Sequence, residues 1–189
     1  MTKIGLIRHG LTEWNYLGRA QGISDIPLNE QGIQQAVKIG ERLANEEWDI
    51  IISSNLLRAK ETAKIIGSRM RLPITVDQRI REIDCGEIEG TTEDERVIRW
   101  GKAWREADLG MEKFETVAQR GIGFLEDVAI RYEGKSILIV SHGALIGLTL
   151  QHLLPEKFPT THIDNTSISI LQHHEKEWNC QLYNCTKHL

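Results

Sequence analysis

The sequence predicts an α/β fold built on a mostly parallel sheet. Short apolar runs rich in branched residues alternate along the chain with longer segments whose apolar residues recur at helical spacing. Strands and helices that alternate in this way are typical of parallel βαβ units. The length of 189 residues, with 40% hydrophobic and 26% charged residues, indicates one globular domain over residues 1–189.

Each predicted strand is a short apolar run that ends at glycine or at polar residues. The first run, Ile4 to Ile7, stops at the basic pair Arg8-His9, and Gly10 follows. Two further runs near the end of the chain, around the polar residues His173 to Lys176, predict a terminal hairpin. The other predicted strands are Asp49–Ser54, Ile74–Val76, Ser136–Ser141, Ser167–Leu171 and Asn179–Tyr183.

The predicted helices have apolar residues three and four positions apart. Asn29 is placed to cap the second of them, because its side chain can accept a hydrogen bond from the first helical turn. Residues 77–91 carry too many charges and glycines for a regular element, and such segments are often functional. The predicted helices are Thr12–Leu17, residues 30 to about 46, Leu57–Met70, Thr92–Ala107, Phe114–Tyr132 and Ala144–Leu154.

Charge and cysteine content exclude several classes of protein. The formal charge of −4 and pI near 6.0 argue against binding to nucleic acid or to a membrane surface. No apolar run approaches the roughly 20 residues of a membrane helix, and the N-terminus lacks the apolar core of a signal peptide. Three cysteines without metal-type spacing suit reduced thiols. We therefore expect a cytoplasmic protein.

Four basic residues lie at or just after the ends of predicted strands: Arg8, His9, Arg58 and His142. The carboxyl ends of parallel strands meet at one edge of a sheet, so these side chains can share a pocket. Clustered cations on an acidic protein favour an anionic ligand, and guanidinium groups match the geometry of phosphate. The competing interpretation is that the four residues form separate salt bridges.

Two histidines in a phosphate pocket suggest covalent catalysis. A neutral imidazole can attack phosphorus and form a phosphoenzyme, which divides one displacement into two steps. The leaving oxygen then needs a proton, which a nearby carboxylic acid can supply. Glu82, in the irregular segment, is the best-placed candidate; Glu13, Asp84 and Glu89 are its competitors.

Five blocks of sequence together resemble the histidine phosphatase (phosphoglycerate mutase-like) superfamily, in that family's order over residues 4 to 146. A lone Arg-His-Gly is a weak signal, but five blocks in register are a strong one. The resemblance implies a three-layer α/β/α sandwich. The blocks contain Arg8-His9-Gly10 with Thr12, Trp14 and Asn15; Arg19, Gln21-Gly22, Asp25, Pro27-Leu28 and Gly32; Ser53-Ser54 and Leu57-Arg58-Ala59 with Thr62-Ala63; Arg81-Glu82, Gly86 and Glu89-Gly90; and Val140-Ser141-His142-Gly143.

The resemblance also implies a role for individual residues. His9 would carry the phosphoryl group, and Glu82 would protonate the leaving group and then deprotonate the attacking water. Arg8, Arg58 and His142 would hold the phosphoryl oxygens by electrostatic preorganisation. Residues expected to bind the substrate are Asn15, Arg19, Gln21, Gly22 and Gly143. No metal or cofactor is implied, and the expected partner is a small phosphorylated metabolite.

The chain departs from the family pattern at three places. Leu11 replaces the usual acidic or polar residue after Arg-His-Gly, and Ile23 replaces a frequent aromatic residue. Gly110-Met111-Glu112-Lys113 lies where many relatives have Gly-Glu-Ser. These differences bear on substrate identity more than on catalysis. Trp100 and Trp104, four residues apart, could share a helix face over the site, although core packing is the favoured interpretation.

Within the family, the sequence favours a phosphomonoesterase over a phosphoglycerate mutase. A mutase must keep water from its phosphohistidine, and its family members carry extra sequence between the acid and the second histidine. Only 59 residues separate Glu82 from His142, so that lid is not expected. A non-catalytic module that binds a phospholigand is the alternative from another class, but such a module has no need of the proton donor.

Overall fold

The computed structural model describes residues 1–158, 160 and 162–189, and it confirms the predicted α/β architecture. The strands are β1 (Thr2–Arg8), β2 (Ile50–Ser53), β3 (Ile74–Val76), β4 (Ser136–Ser141), β5 (Ile168–His174) and β6 (Glu177–Cys185). The helices are α1 (Glu13–Tyr16), α2 (Glu30–Leu43), α3 (Leu57–Met70), α4 (Glu93–Trp100), α5 (Phe114–Arg131) and α6 (Gly143–Leu153). None of the helices in this described part of the chain combines the length and hydropathy needed to cross a bilayer.

The six strands form one sheet in the order β3-β2-β4-β1-β5-β6. Strands β3, β2, β4 and β1 pair in parallel, whereas β5 is antiparallel to β1 and β6 is antiparallel to β5. The last two strands are the predicted terminal hairpin, turned at Glu175 and Lys176. Because β2, β4 and β1 are parallel neighbours, their carboxyl ends lie side by side at one edge of the sheet.

Alternate residues of the central strands pack against helices on opposite faces of the sheet. In β4, Ile137 and Ile139 join the cluster that contains buried residues of α5 and α6. Their neighbours Leu138 and Val140 join the cluster that contains buried residues of α2 and α3. Since side chains alternate along a strand, this distribution gives a sheet covered on both faces. The fold is therefore the three-layer sandwich that the resemblance implied.

Two helix boundaries illustrate how local sequence sets the fold. Helix α2 begins as predicted, because the Asn29 side chain accepts a hydrogen bond of 2.8 Å from the Gly32 N–H. The predicted helix Thr92–Ala107 is wrong in its second half, because Gly101 adopts φ 82° and ends α4 at Trp100. Trp104 lies in a separate 3₁₀ turn and is buried in the core, so the two tryptophans do not share a helix face.

Candidate active site

His9 lies directly after β1 and is 1% exposed. Its Nδ1–H donates to the Gly10 carbonyl at 2.7 Å, and its Nε2 accepts from Arg58 Nε at 3.2 Å. These two bonds fix the tautomer, because a carbonyl can only accept and a guanidinium can only donate. Burial, followed by the charges of Arg58 and Arg8, holds the pKa of His9 well below its ordinary value. His9 is therefore a neutral imidazole at pH 7, with its lone pair on Nε2.

Arg58 belongs to the first turn of α3, which follows β2, and it is fully buried. Its Nη1 donates to the Ser24 carbonyl and its Nη2 to the Gly22 carbonyl, each at 2.8 Å. Gly22 has φ 49°, and a Cβ there would lie 2.0 Å from Glu89 Oε1. Only glycine therefore lets the 21–24 loop close against Arg58.

His142 directly follows β4 at the N-cap position of α6, and its ring centroid lies 5.2 Å from that of His9. Its Nε2 is 2.7 Å from Ser54 Oγ, which also accepts from the Leu56 N–H. The Ser54 hydroxyl hydrogen has no other acceptor among the described residues, so it points to Nε2 and leaves the ring hydrogen on Nδ1. Burial, and then the charge of Arg58, lowers the pKa of His142 well below its ordinary value.

Two buried N–H groups at this site have no partner within the described residues, Nδ1 of His142 and Nε of Arg8. Arg8 Nη1 donates to the Ile163 carbonyl at 2.6 Å, and burial lowers the pKa of its guanidinium. A Cβ on Gly143 would lie 3.3 Å from Arg8 Nε, which places that nitrogen beside the first turn of α6. Unpartnered buried donors are costly unless a ligand supplies the acceptor.

The Glu82 carboxylate lies at the N-terminal end of α6, where backbone N–H groups point outward. It accepts from the N–H groups of Leu145 at 3.1 Å and Ala144 at 3.3 Å, and from that of Ile83 at 2.9 Å. Its negative charge acts to raise the pKa values of Arg8 and Arg58, opposing their burial. The carboxylate therefore lies within electrostatic reach of both guanidinium groups.

The three competing carboxylates have other surroundings. Glu13 is exposed on α1. Asp84 accepts from the backbone N–H two residues further along the chain, at 2.9 Å. Glu89 accepts from the N–H groups of Ile23 at 2.7 Å and Ser24 at 3.0 Å, and so holds the 21–24 loop.

Of the predicted substrate-binding residues, Asn15 and Gln21 lie together beside Thr12. The Thr12 hydroxyl is 3.1 Å from Asn15 Oδ1 and 2.9 Å from Gln21 Oε1. Asn15 Oδ1 is also 3.3 Å from Asn165 Nδ2. Because its oxygen is engaged, the Asn15 amide presents an N–H₂ group that has no partner among the described residues.

Arg19 is engaged elsewhere. Its guanidinium forms a two-bond pair with the Glu95 carboxylate, at 2.8 and 2.9 Å, and also donates to the Gly90 carbonyl. These three bonds engage the Arg19 guanidinium with α4 and with the 86–90 segment. A role for Arg19 in substrate binding stays a prediction.

Two residues of the site were missed by sequence reasoning. Asn165 donates to the His9 carbonyl at 3.0 Å, and its only sequence signal is a polar run just before β5. Arg120 donates to the backbone that carries Glu82. The sequence feature that could have identified Arg120 is a lone charge on the apolar face of α5, three residues after Val117 and four before Phe124.

The assembled groups suit an oxyanion that reacts with a nucleophile. A neutral imidazole lies among two buried guanidinium groups, a second imidazole with a free N–H, and one carboxylate. Such donors can bind the oxygens of a phosphoryl group while the imidazole approaches phosphorus. Among the described residues, no group of three or more His, Cys, Asp or Glu side chains is arranged to hold a metal ion.

Comparison with known proteins places the chain in one family. The family model of the histidine phosphatase superfamily (branch 1) matches residues 4–186. Phosphatase PhoE of Bacillus subtilis, described as uncharacterized, is 38% identical, and the match covers 100% of this chain and 97% of PhoE. The probable phosphoglycerate mutase GpmB of Salmonella paratyphi A is 35% identical over 94% of this chain and 88% of its own.

A solved structure supports the same family assignment. A mutant phosphoserine phosphatase from Entamoeba histolytica, in complex with phosphoserine, superposes with a TM-score of 0.85. It is 32% identical, and the superposition covers 100% of both chains. The chain therefore belongs to the histidine phosphatase superfamily and is an enzyme of its phosphatase and phosphoglycerate mutase-like group.

Proposed function

We propose that residues 1–189 form one phosphomonoesterase domain, which hydrolyses small phosphorylated metabolites through a phosphohistidine on His9. The observation that carries the proposal is the neutral His9 imidazole next to unpartnered buried donors, Arg8 Nε and His142 Nδ1. A phosphoryl group would supply the acceptors that these donors lack. The phosphoserine bound to the Entamoeba histolytica relative supports a small phosphorylated substrate.

In the first step, His9 Nε2 attacks phosphorus and the bond from phosphorus to the leaving oxygen breaks. Before the attack, Nε2 accepts a hydrogen bond from Arg58 Nε at 3.2 Å. This N–H turns to a phosphoryl oxygen as the N–P bond forms. The Gly10 carbonyl, 2.7 Å from Nδ1, stabilises the positive charge that the ring acquires. Arg8, His142 Nδ1–H and the Asn15 amide hold the remaining phosphoryl oxygens.

Glu82 serves in both steps. As a carboxylic acid it donates its proton to the leaving oxygen, and as a carboxylate it then takes a proton from water. The water oxygen attacks phosphorus and the N–P bond breaks. Inorganic phosphate is released, and His9 returns to its neutral form. The position of this carboxylate at the start of α6, near the two guanidinium groups, supports the assignment.

We further propose that Gln21, Gly22 and Gly143 shape the substrate side of this pocket, by burial and close backbone approach. The free thiols of Cys85, Cys180 and Cys185 support our expectation that the enzyme works in the cytoplasm.

Phosphoglycerate mutase is the second candidate, since the Salmonella relative bears that name. The short span between Glu82 and His142 argues against mutase activity, because it leaves little chain for a lid that excludes water. An assay with 3-phosphoglycerate and its bisphosphate activator separates the two activities. Isomerisation faster than phosphate release would overturn the phosphatase proposal.

The covalent step is tested with His9→Ala and the matched variant His152→Ala, whose side chain is exposed on α6. We expect His9→Ala to lose p-nitrophenyl phosphate hydrolysis by several orders of magnitude, and His152→Ala to retain it. Mass spectrometry after an alkaline quench should find the phosphoryl group on His9. Equal, slow hydrolysis by wild type and His9→Ala would instead favour a non-catalytic phospholigand-binding module.

A further inference from the structure

Arg120 uses all of its donor groups on the segment that carries Glu82 and on one carboxylate. It lies on α5 with its side chain 17% exposed. Nη1 donates to the carbonyls of Arg79 at 2.8 Å and Arg81 at 2.7 Å, and Nη2 donates to the carbonyl of Glu82 at 3.0 Å. Residues 81–85 have no regular secondary structure, so their carbonyls depend on such side-chain donors.

Glu112 completes the same arrangement from the 110–113 segment. Its Oε1 accepts from Arg120 Nε at 2.9 Å, and its Oε2 accepts from Arg120 Nη2 at 3.0 Å and from the Asp84 N–H at 3.1 Å. The Glu112 N–H in turn donates to the Asp84 carbonyl at 2.8 Å. Residues 79–84 are thus held by Arg120 at several carbonyls and by Glu112 at Asp84.

We infer that the Arg120–Glu112 pair is a positioning device that fixes where the Glu82 carboxyl stands relative to the phosphoryl group. The inference rests on the proposed role of Glu82 as proton donor. The Glu82 carboxylate is held at α6, whereas its own backbone carbonyl is held at α5 by Arg120. The pair therefore limits how far the Glu82 side chain can move. A displacement of a reacting group by about 1 Å can lower the rate about a hundredfold.

Conservative replacements cannot reproduce this geometry. A lysine at 120 keeps the charge, but its donors radiate from one nitrogen and cannot reach three carbonyls and a carboxylate from a planar fork. A glutamine at 112 has only one acceptor oxygen, so its N–H₂ group would face a donor, either Arg120 or the Asp84 N–H. Both variants should retain the fold core, because neither side chain contributes to the apolar clusters.

The test compares kcat/KM for p-nitrophenyl phosphate, whose leaving group departs without a proton, with kcat/KM for glycerol phosphate, whose alkoxide needs one. Glu82→Gln is the reference. Glu126→Gln is the control, since it removes an exposed charge from the same helix without touching residues 79–84. We expect Arg120→Lys and Glu112→Gln to lose about tenfold to a hundredfold on glycerol phosphate and less than about threefold on p-nitrophenyl phosphate.

Equal losses on both substrates, or a lower melting temperature with an unchanged ratio of the two kcat/KM values, would overturn the inference and leave the pair a structural role alone. If Glu82→Gln itself shows no preference between leaving groups, the proposed acid is wrong and the inference falls with it. Should Glu112→Gln fail to fold, Glu112→Asp keeps the charge and shortens the reach, and the same ratio decides.

Discussion

Acidification from pH 7 to pH 5.5 should destabilise the protein through two buried histidines. The pKa values of His9 and His142 lie well below the ordinary 6.5 in the folded chain and return to it on unfolding. The unfolded chain therefore binds more protons than the folded chain. The contribution of the two neutral histidines to the free energy of unfolding is complete well above pH 6.5 and is lost as the pH falls. Each histidine contributes about 1 kcal/mol per pH unit below 6.5, and the pair about 2–3 kcal/mol between pH 7 and 5.5.

Urea titrations at pH 7, 6.5, 6 and 5.5 measure this loss, with the fluorescence of the five tryptophans as the signal. The double variant His9→Gln/His142→Gln should show a much flatter dependence. His188, whose pKa is lowered to about 4, acts in the same direction in both proteins. A wild-type free energy of unfolding that is constant from pH 7 to 5.5 would refute the claim that the two imidazoles are neutral when folded.

Three substitutions test the packing and hydrogen bonds around the site. Ser54→Ala should lower the free energy of unfolding by about 1–3 kcal/mol, measured by urea titration, because His142 Nε2 loses its buried donor. It should also lower kcat/KM, because the His142 tautomer is no longer fixed. Gly32→Ala should cost about 1–3 kcal/mol and reduce activity, because its Cβ would lie 2.0 Å from the Leu11 carbonyl oxygen, two residues after His9. Gly123→Ala, in an exposed helical position with no atom within 4 Å, should instead raise stability by about 0.5–1 kcal/mol. A stabilised Gly32→Ala or an unchanged Ser54→Ala would contradict the described contacts.

Regular elements could be predicted where local signals agree. Leu57–Met70 and Ile74–Val76 have the predicted limits, because their apolar spacing and flanking residues specify the same boundaries. The helix predicted from Thr92 onward failed because its periodicity continues through Gly101, whereas the backbone there turns to positive φ. Trp104, beyond that turn, is buried in the core, a tertiary contact that periodicity along the chain does not encode.

The sequence by itself determined which chemical groups come to the active edge of the sheet, because Arg8, His9, Arg58 and His142 follow strands whose parallel order its pattern implies. Only the tertiary structure decided how those groups are oriented. The bond from Arg58 to His9 Nε2, the hydrogen on His142 Nδ1 and the bond from Arg120 to the Glu82 carbonyl depend on partners far away in the chain. Hydrogen-bond direction is fixed by neighbours in space, which spacing along a sequence does not specify.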